Sequence, residues 1–153
     1  MVPIELSELD CSVARTLDLV GDRWSILILR DAFYGVRRFE DFQHDLGIAR
    51  NVLAARLKKF VESGVMERRA YQDRPPRYEY RLTPKGRELL PVMLAMMAWG
   101  DKWTSEGEPP VTLTHVPCDH TLAPVVACSH CGDEIRLHEV HADPLPVRPR
   151  VAS

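Results

Sequence analysis

Leu46-Gly-Ile-Ala-Arg-Asn-Val-Leu-Ala-Ala-Arg-Leu-Lys-Lys-Phe-Val-Glu-Ser-Gly64 decides the fold. Leu46-Gly47-Ile48 is an apolar-Gly-apolar turn between two short helices. From Ala49 the apolar residues Val52, Leu53, Leu57, Phe60 and Val61 recur at i, i+1, i+5, i+8 and i+9, one stripe of a helix. Gly64 is a natural stop. The opposite face carries Arg50, Asn51, Arg56, Lys58 and Lys59. A cationic helix with Asn and Arg at its N-terminal end suits a DNA major groove, where Asn reads adenine edges and Arg reads guanine. The plain alternative is an amphipathic helix with a solvated basic face, and the helix alone does not separate the two.

The flanking residues shift the balance. Phe39, Phe42 and Leu46 mark a first, positioning helix ahead of the turn. Val65–Tyr71 is strand-like, Gln72–Arg77 is a polar turn, and Tyr78–Leu82 alternates like a second strand. Helix-turn-helix followed by a basic hairpin is a winged helix. Its tip holds Arg74 and Arg77 around two prolines, a stiff cationic element suited to phosphates or a narrow minor groove. The DNA-facing candidates are therefore Arg38, Ala49, Arg50, Asn51, Ala54, Arg56 and Lys58, with Arg74 and Arg77 on the wing.

Charge is segregated along the chain. Residues 37–87 contain 13 Lys/Arg and 7 Asp/Glu, a net of +6. The remainder carries 7 and 15, a net of −8, which together give the whole-chain −2. A basic segment inside an acidic chain concentrates a positive field where an even mixture would not.

At this level of detail the chain resembles the HxlR family of bacterial winged-helix transcriptional regulators, relatives of the MarR group. The resemblance rests on ordered segments: Cys11–Trp24, Ile26–Asp31, Arg38–Phe42, Gly47–Leu57, Gly64–Arg68 and Tyr78–Leu89. It spans about residues 10–103. It implies a homodimer that binds double-stranded operator DNA and represses or activates nearby genes, and it supplies no target and no effector; repression is the expected sign, and a small molecule, electrophile or oxidant is the candidate effector. Some relatives of this type sense electrophiles or oxidants through a cysteine matching Cys11. Near a helix N-terminus, free amides favour a thiolate at Cys11 and the neighbouring Asp10 opposes it. Burial as a small residue at a dimer seam is the alternative.

The expected fold class is mainly α with a small β-wing (α+β): a winged helix-turn-helix with a C-terminal Cys/His-containing β-hairpin extension. The expected organisation is an arm over 1–9, a DNA-binding and dimerisation domain over 10–103, a linker over 104–110, the extension over 111–143, and a disordered Pro-rich tail over 144–153. Asp10 and Ser12 are candidate caps for a first helix through Val20, with Val13, Leu17 and Val20 on one face. A second helix runs from Arg23 to Tyr34 and is apolar nearly all round. Thr83 caps, and Pro84 opens, a last helix to about Trp103 that Pro91 kinks. Its surplus of apolar residues fits a dimer interface built with the first helix; a Met- and Trp-rich effector pocket is the competing use.

With 153 residues and 45% hydrophobic content, the chain suits one packed domain plus an appendage. No apolar run approaches a membrane span, and the N-terminus lacks a signal-peptide pattern, so the cytoplasm is expected. There, four cysteines are thiols or metal ligands rather than structural disulfides. Cys128-Ser-His-Cys131-Gly132 has the form of a zinc knuckle; Cys118 with His120 or His115 is a second half-site, and Leu122–Val126 between them reads as a strand. Structural zinc, unmetallated packing and a redox pair at Cys128 and Cys131 all remain open. No catalytic residues are expected, because no nucleophile stands beside a base and there is no Gly-rich phosphate loop. A thiol- or metal-dependent enzyme based on the tail and a winged helix used for protein contacts are the alternatives.

Overall fold

The computed structural model describes residues 9–142. The expected arm, apart from Leu9, and the expected disordered tail lie outside the described residues. These fall into two compact units, one ending at Glu88 and the other beginning at Leu89.

The first unit is a winged helix-turn-helix. Helices α1 (Ser12–Val20), α2 (Arg23–Phe33), α3 (Phe39–Leu46) and α4 (Arg50–Glu62) precede a hairpin of β1 (Met66–Asp73) and β2 (Pro76–Leu82), then a one-turn helix α5 (Pro84–Arg87). The core is built where the apolar stripes meet. Ile28 and Leu29 of α2, Phe42 of α3, and Leu53, Leu57 and Phe60 of α4 are fully buried, with Ile48, Val65 and Met66 beside them. This is the i, i+4, i+7 side of α4, so its other side is left to solvent. Gly47 closes α3 at φ +59, a left-handed turn that a side chain would strain, and so sets the angle between α3 and α4. Asp22 caps α2 by accepting from the Trp24 and Ser25 amides.

The hairpin is antiparallel, with Met66 opposite Leu82 and Arg68 opposite Tyr80, and a bulge between Ala70 and Gln72. The Tyr80 N–H donates to the Arg37 carbonyl at 2.7 Å, and Arg38 bridges Glu79, so the segment before α3 adds a third short edge to the wing. Gly86 is buried, and a Cβ there would stand 2.1 Å from the Val65 carbonyl oxygen, so the close approach requires glycine.

Several local expectations are corrected. The cap position of α1 is Cys11, with no side-chain cap; Asp10 instead pairs with Arg15 at 3.2 Å. On α1, Ala14 and Val20 face the core while Val13 and Leu17 are exposed. The helix expected from Pro84 to Trp103 is two helices. It breaks at Glu88 and Leu89, and α6 (Leu90–Trp103) starts afresh with Pro91 in its first turn, where its missing N–H costs nothing.

The second unit contains α6 and the extension. Two short strands, β3 (Thr114–His115) and β4 (His120–Thr121), form one hairpin, and a bridge between Ala127 and Glu134 closes another. The strand expected at Val111–His115 is thus two residues long, and Leu122–Val126 is not a strand. None of the described residues from Leu89 onward is buried. No described helix is long and apolar enough to cross a membrane.

Candidate nucleic-acid interface

The solvent face of α4 carries Asn51, Ala54, Ala55, Lys58 and Glu62, one helical row, with Ala49 and Arg50 exposed at its start. Ala49 occupies the cap position without a side-chain cap, so the first-turn amides remain free to bond DNA or solvent. Small Ala49 and Ala54 let the helix backbone approach a surface closely. Arg50 is held at this end by Phe39 of α3, whose ring centre lies 4.7 Å from the guanidinium. Lys58, two turns on, meets Glu62 at 3.6 Å in an exposed pair that solvent screens.

Arg56 is the exception among the α4 candidates. Its Nε donates to Asp22 Oδ1 at 3.1 Å, tying α4 to the start of α2. Arg56, expected on the DNA face, is thus engaged with Asp22 rather than standing free. Lys59 turns the same way, donating to the Asp18 carbonyl, with the Asp18 carboxylate 3.6 Å away.

Asp22 has a lowered carboxyl pKa. Partial burial pushes it up, but hydrogen bonds from the Ser25 hydroxyl and amide, the charge of Arg56 and the Trp24 amide outweigh that. The charge of this cap is therefore fixed, and with it the Arg56 clasp.

The wing divides its cations by face. Arg69 pairs with Glu67 at 2.8 Å and Arg81 with Glu79 at 2.6 Å, which neutralises one face. On the other, Arg68 lies 3.6 Å from the centre of the Tyr78 ring. Arg74 and Arg77 at the tip are exposed and make no ion pair among the described residues. Arg38 is exposed before α3, 4.8 Å from the Tyr71 ring centre. A cleft of about 450 Å³ brings Arg38, Arg50 and Arg77 together with Tyr71, Tyr78 and Tyr80, and admits Glu40 and Asp41 from α3. The structure thus gathers most of the cations picked out in sequence along one side, from α4 through this cleft to the wing tip.

Sequence periodicity gives no sign of the arginine-on-aromatic stacks at Tyr71, Phe39 and Tyr78. Their members come from different elements, so the only available signal is the density of Tyr and Arg in 68–81. Planar guanidiniums over rings stay charged and exposed while losing side-chain freedom, which suits contact with phosphates or base edges.

The remaining candidates lie elsewhere. Cys11 is half-buried at the start of α1. In the second unit, His115 Nδ1 stands 3.2 Å from Cys118 Sγ, and His120 Nδ1 contacts the Cys118 carbonyl. The Cys128 thiol is pulled below its ordinary pKa by the amides of Cys131 and His130 and by the Cys131 side chain. Among the described residues, no three His, Cys, Asp or Glu side chains stand close enough to hold one metal ion. The expected zinc set is present as two pairs, not as one cluster.

Comparison with known proteins agrees with this geometry. The profile of the HxlR-like helix-turn-helix family matches residues 19–108. An uncharacterized HTH-type transcriptional regulator of Mycobacterium tuberculosis (strain ATCC 25618 / H37Rv) is 46% identical over 136 residues, covering 88% of this chain and 86% of that protein. A solved candidate transcription factor, PA1607, superposes with a TM-score of 0.80 at 37% identity, over 91% of this chain and 98% of that one. The redox regulator HypR in its reduced form gives a TM-score of 0.57 at 32% identity, over 60% of this chain and 92% of its own. The chain therefore belongs to the HxlR-like helix-turn-helix family, a transcriptional regulator whose DNA-binding domain is the winged helix.

Proposed function

We propose that the chain is a homodimeric, sequence-specific repressor that acts on neighbouring genes from the cytoplasm, with no catalytic activity of its own. The observation that carries this is the row of exposed arginines, Arg50, Arg38, Arg77 and Arg74, that make no ion pair among the described residues, from the N-terminal end of α4 to the wing tip. In this scheme Arg50 and Asn51 read base edges, Ala49 and Ala54 allow close approach, and Lys58, Arg38, Arg74 and Arg77 hold phosphates.

Dimerisation is supported by the apolar helix α6, none of whose residues is buried; Met96, Trp99 and Trp103 are each at least half exposed. Val13 and Leu17 of α1 present a second exposed apolar pair. Two copies joined through α1 and α6 would set two recognition helices on a palindromic site. Sedimentation at micromolar concentration should give twice 17.4 kDa. Titration with DNA from the gene's own upstream region should show tight binding that weakens steeply with salt. A monomer that still binds such DNA specifically would refute the dimer, and salt-insensitive or absent binding would refute the function.

Effector control is part of the proposal. HypR is solved in reduced and oxidised forms, and the corresponding role here falls to Cys11 at the start of α1, beside the proposed seam. A mild electrophile should alter operator binding by the wild type and leave Cys11→Ser unaffected. Unchanged binding after stoichiometric modification of Cys11 would remove the sensor and leave a small-molecule effector as the input.

A further inference from the structure

The extension poses a physical problem independent of DNA binding. After α6 the described residues form two hairpins with no buried residue among them. A segment this small without a hydrophobic core needs a cross-link: a metal, a disulfide or a partner. Three of the four cysteines lie in it.

The hairpin tips share one backbone design. In His115-Val-Pro-Cys118-Asp119 the Asp119 N–H donates to the His115 carbonyl at 2.9 Å, and Asp119 takes a left-handed φ of 55°. In Cys128-Ser-His-Cys131-Gly132 the Gly132 N–H donates to the Cys128 carbonyl at 2.8 Å, and Gly132 has φ 82°. The first turn brings the side chains of its first and fourth residues together. His115 Nδ1 and Cys118 Sγ are 3.2 Å apart. Two ligands on one tetrahedral zinc, at Zn–N of about 2.0 Å and Zn–S of about 2.3 Å, stand about 3.5 Å apart. Cys128 and Cys131 hold the same first and fourth positions of the second turn. His120 stands outside this pattern. It is past the turn, on β4, with Nδ1 against the Cys118 carbonyl.

We infer that residues 113–135 form a structural zinc ribbon whose four ligands are His115, Cys118, Cys128 and Cys131. His115, not His120, is the nitrogen ligand. The structure holds the two pairs apart, so bringing the tips together is the step coupled to metal binding. On binding, three thiols release their protons to solvent and His115 ligates through neutral Nδ1. Four protein ligands close the site, so the ion cross-links and does not catalyse.

The test uses the full chain purified under reducing conditions. Zinc content should be one ion per chain, and three of the four thiols should resist alkylation until a chelator removes the metal. Adding zinc back should restore protection, a readout that needs no mutation. Cobalt(II) in place of zinc should show thiolate charge-transfer absorption. Cys118→Ser, Cys128→Ser and His115→Ala should each lose the ion to a competing chelator, while His120→Ala keeps it; circular dichroism of the helices should stay unchanged in all four. Metal-free protein with four free thiols, or with a Cys128–Cys131 disulfide, overturns the inference. Retention by His115→Ala with loss from His120→Ala overturns the ligand assignment.

Discussion

Asp22 clasps two helices at once, and its replacement has a calculable cost. Its Oδ1 accepts the Trp24 and Ser25 amides of α2 at 3.1 Å and Arg56 Nε of α4 at 3.1 Å. Asp22→Ala removes both. Loss of an N-cap costs about 1 kcal/mol. The two paired side chains are 36% and 34% exposed, so screening keeps the ion pair near the lower end of about 0.2–1 kcal/mol. The variant should therefore lose roughly 1–2 kcal/mol, with Tm falling about 4–8 °C per kcal/mol in a domain of this size. Asp22→Asn keeps an accepting cap but loses the pair and the carboxylate acceptor of the Ser25 hydroxyl, whereas Arg56→Ala loses the pair alone. The double variant should cost no more than Asp22→Asn alone, since both single changes remove the same pair. The depressed carboxyl pKa fixes the sign with pH. Its contribution is complete above the unfolded value of about 3.9 and is lost as pH falls through the lower folded value. The advantage of wild type over Asp22→Asn should thus be flat at neutral pH and shrink below about pH 4. Urea unfolding followed by tryptophan fluorescence reads all of this. If Arg56→Ala is as stable as wild type but loses base preference on DNA, the clasp is absent in solution and Arg56 belongs to the interface.

Removing Arg74 or Arg77 should each flatten the log-affinity against log-salt slope by about 0.9, whereas Arg69→Ala and Arg81→Ala, already neutralised by Glu67 and Glu79, should change it far less; equal effects from all four would contradict the division of the wing's faces. Gly86→Ala should destabilise by about 1–3 kcal/mol or more, because its Cβ would stand 2.1 Å from the Val65 carbonyl oxygen; a neutral result in urea unfolding would refute that packing. Trp99→Glu, at a residue 62% exposed in a single chain, should halve the sedimenting mass without unfolding the winged helix, and an unchanged dimer would move the seam away from α6.

The helix-turn-helix and the wing were legible because their determinants are local. Apolar spacing in 52–61 specifies which side of α4 is buried, Gly47 and Gly64 mark its neighbours' limits, and alternation in 78–82 marks a strand. The pairing of Arg56 is not legible because a basic residue looks the same in sequence whether free or paired. Its partner, Asp22, lies 34 residues upstream and is brought near only by packing. Pro91 was ambiguous for another reason: proline opens a helix or bends one, and the apolar residues on both sides hid the break at Glu88 and Leu89. Cap chemistry at α1 favoured Asp10 and Ser12, yet the chain enters the helix at Cys11. The extension was over-read as longer strands because alternation in a segment without a core records no buried face. Its two Cys/His pairs are visible by spacing, but the inference of His115 over His120 rests on the shared turn geometry.

Base reading by the N-terminal end of α4 is the central claim, and Asn51 tests it most directly. Asn51→Ala, at an exposed position outside the core, should leave stability unchanged. Its affinity should be compared with wild type on the chain's operator and on an unrelated duplex at one salt concentration. Loss of about 1–3 kcal/mol on the operator, with little change on the unrelated duplex, is the predicted result. Equal losses on both duplexes would make Asn51 a phosphate contact, and no loss on either would take the start of α4 out of the groove.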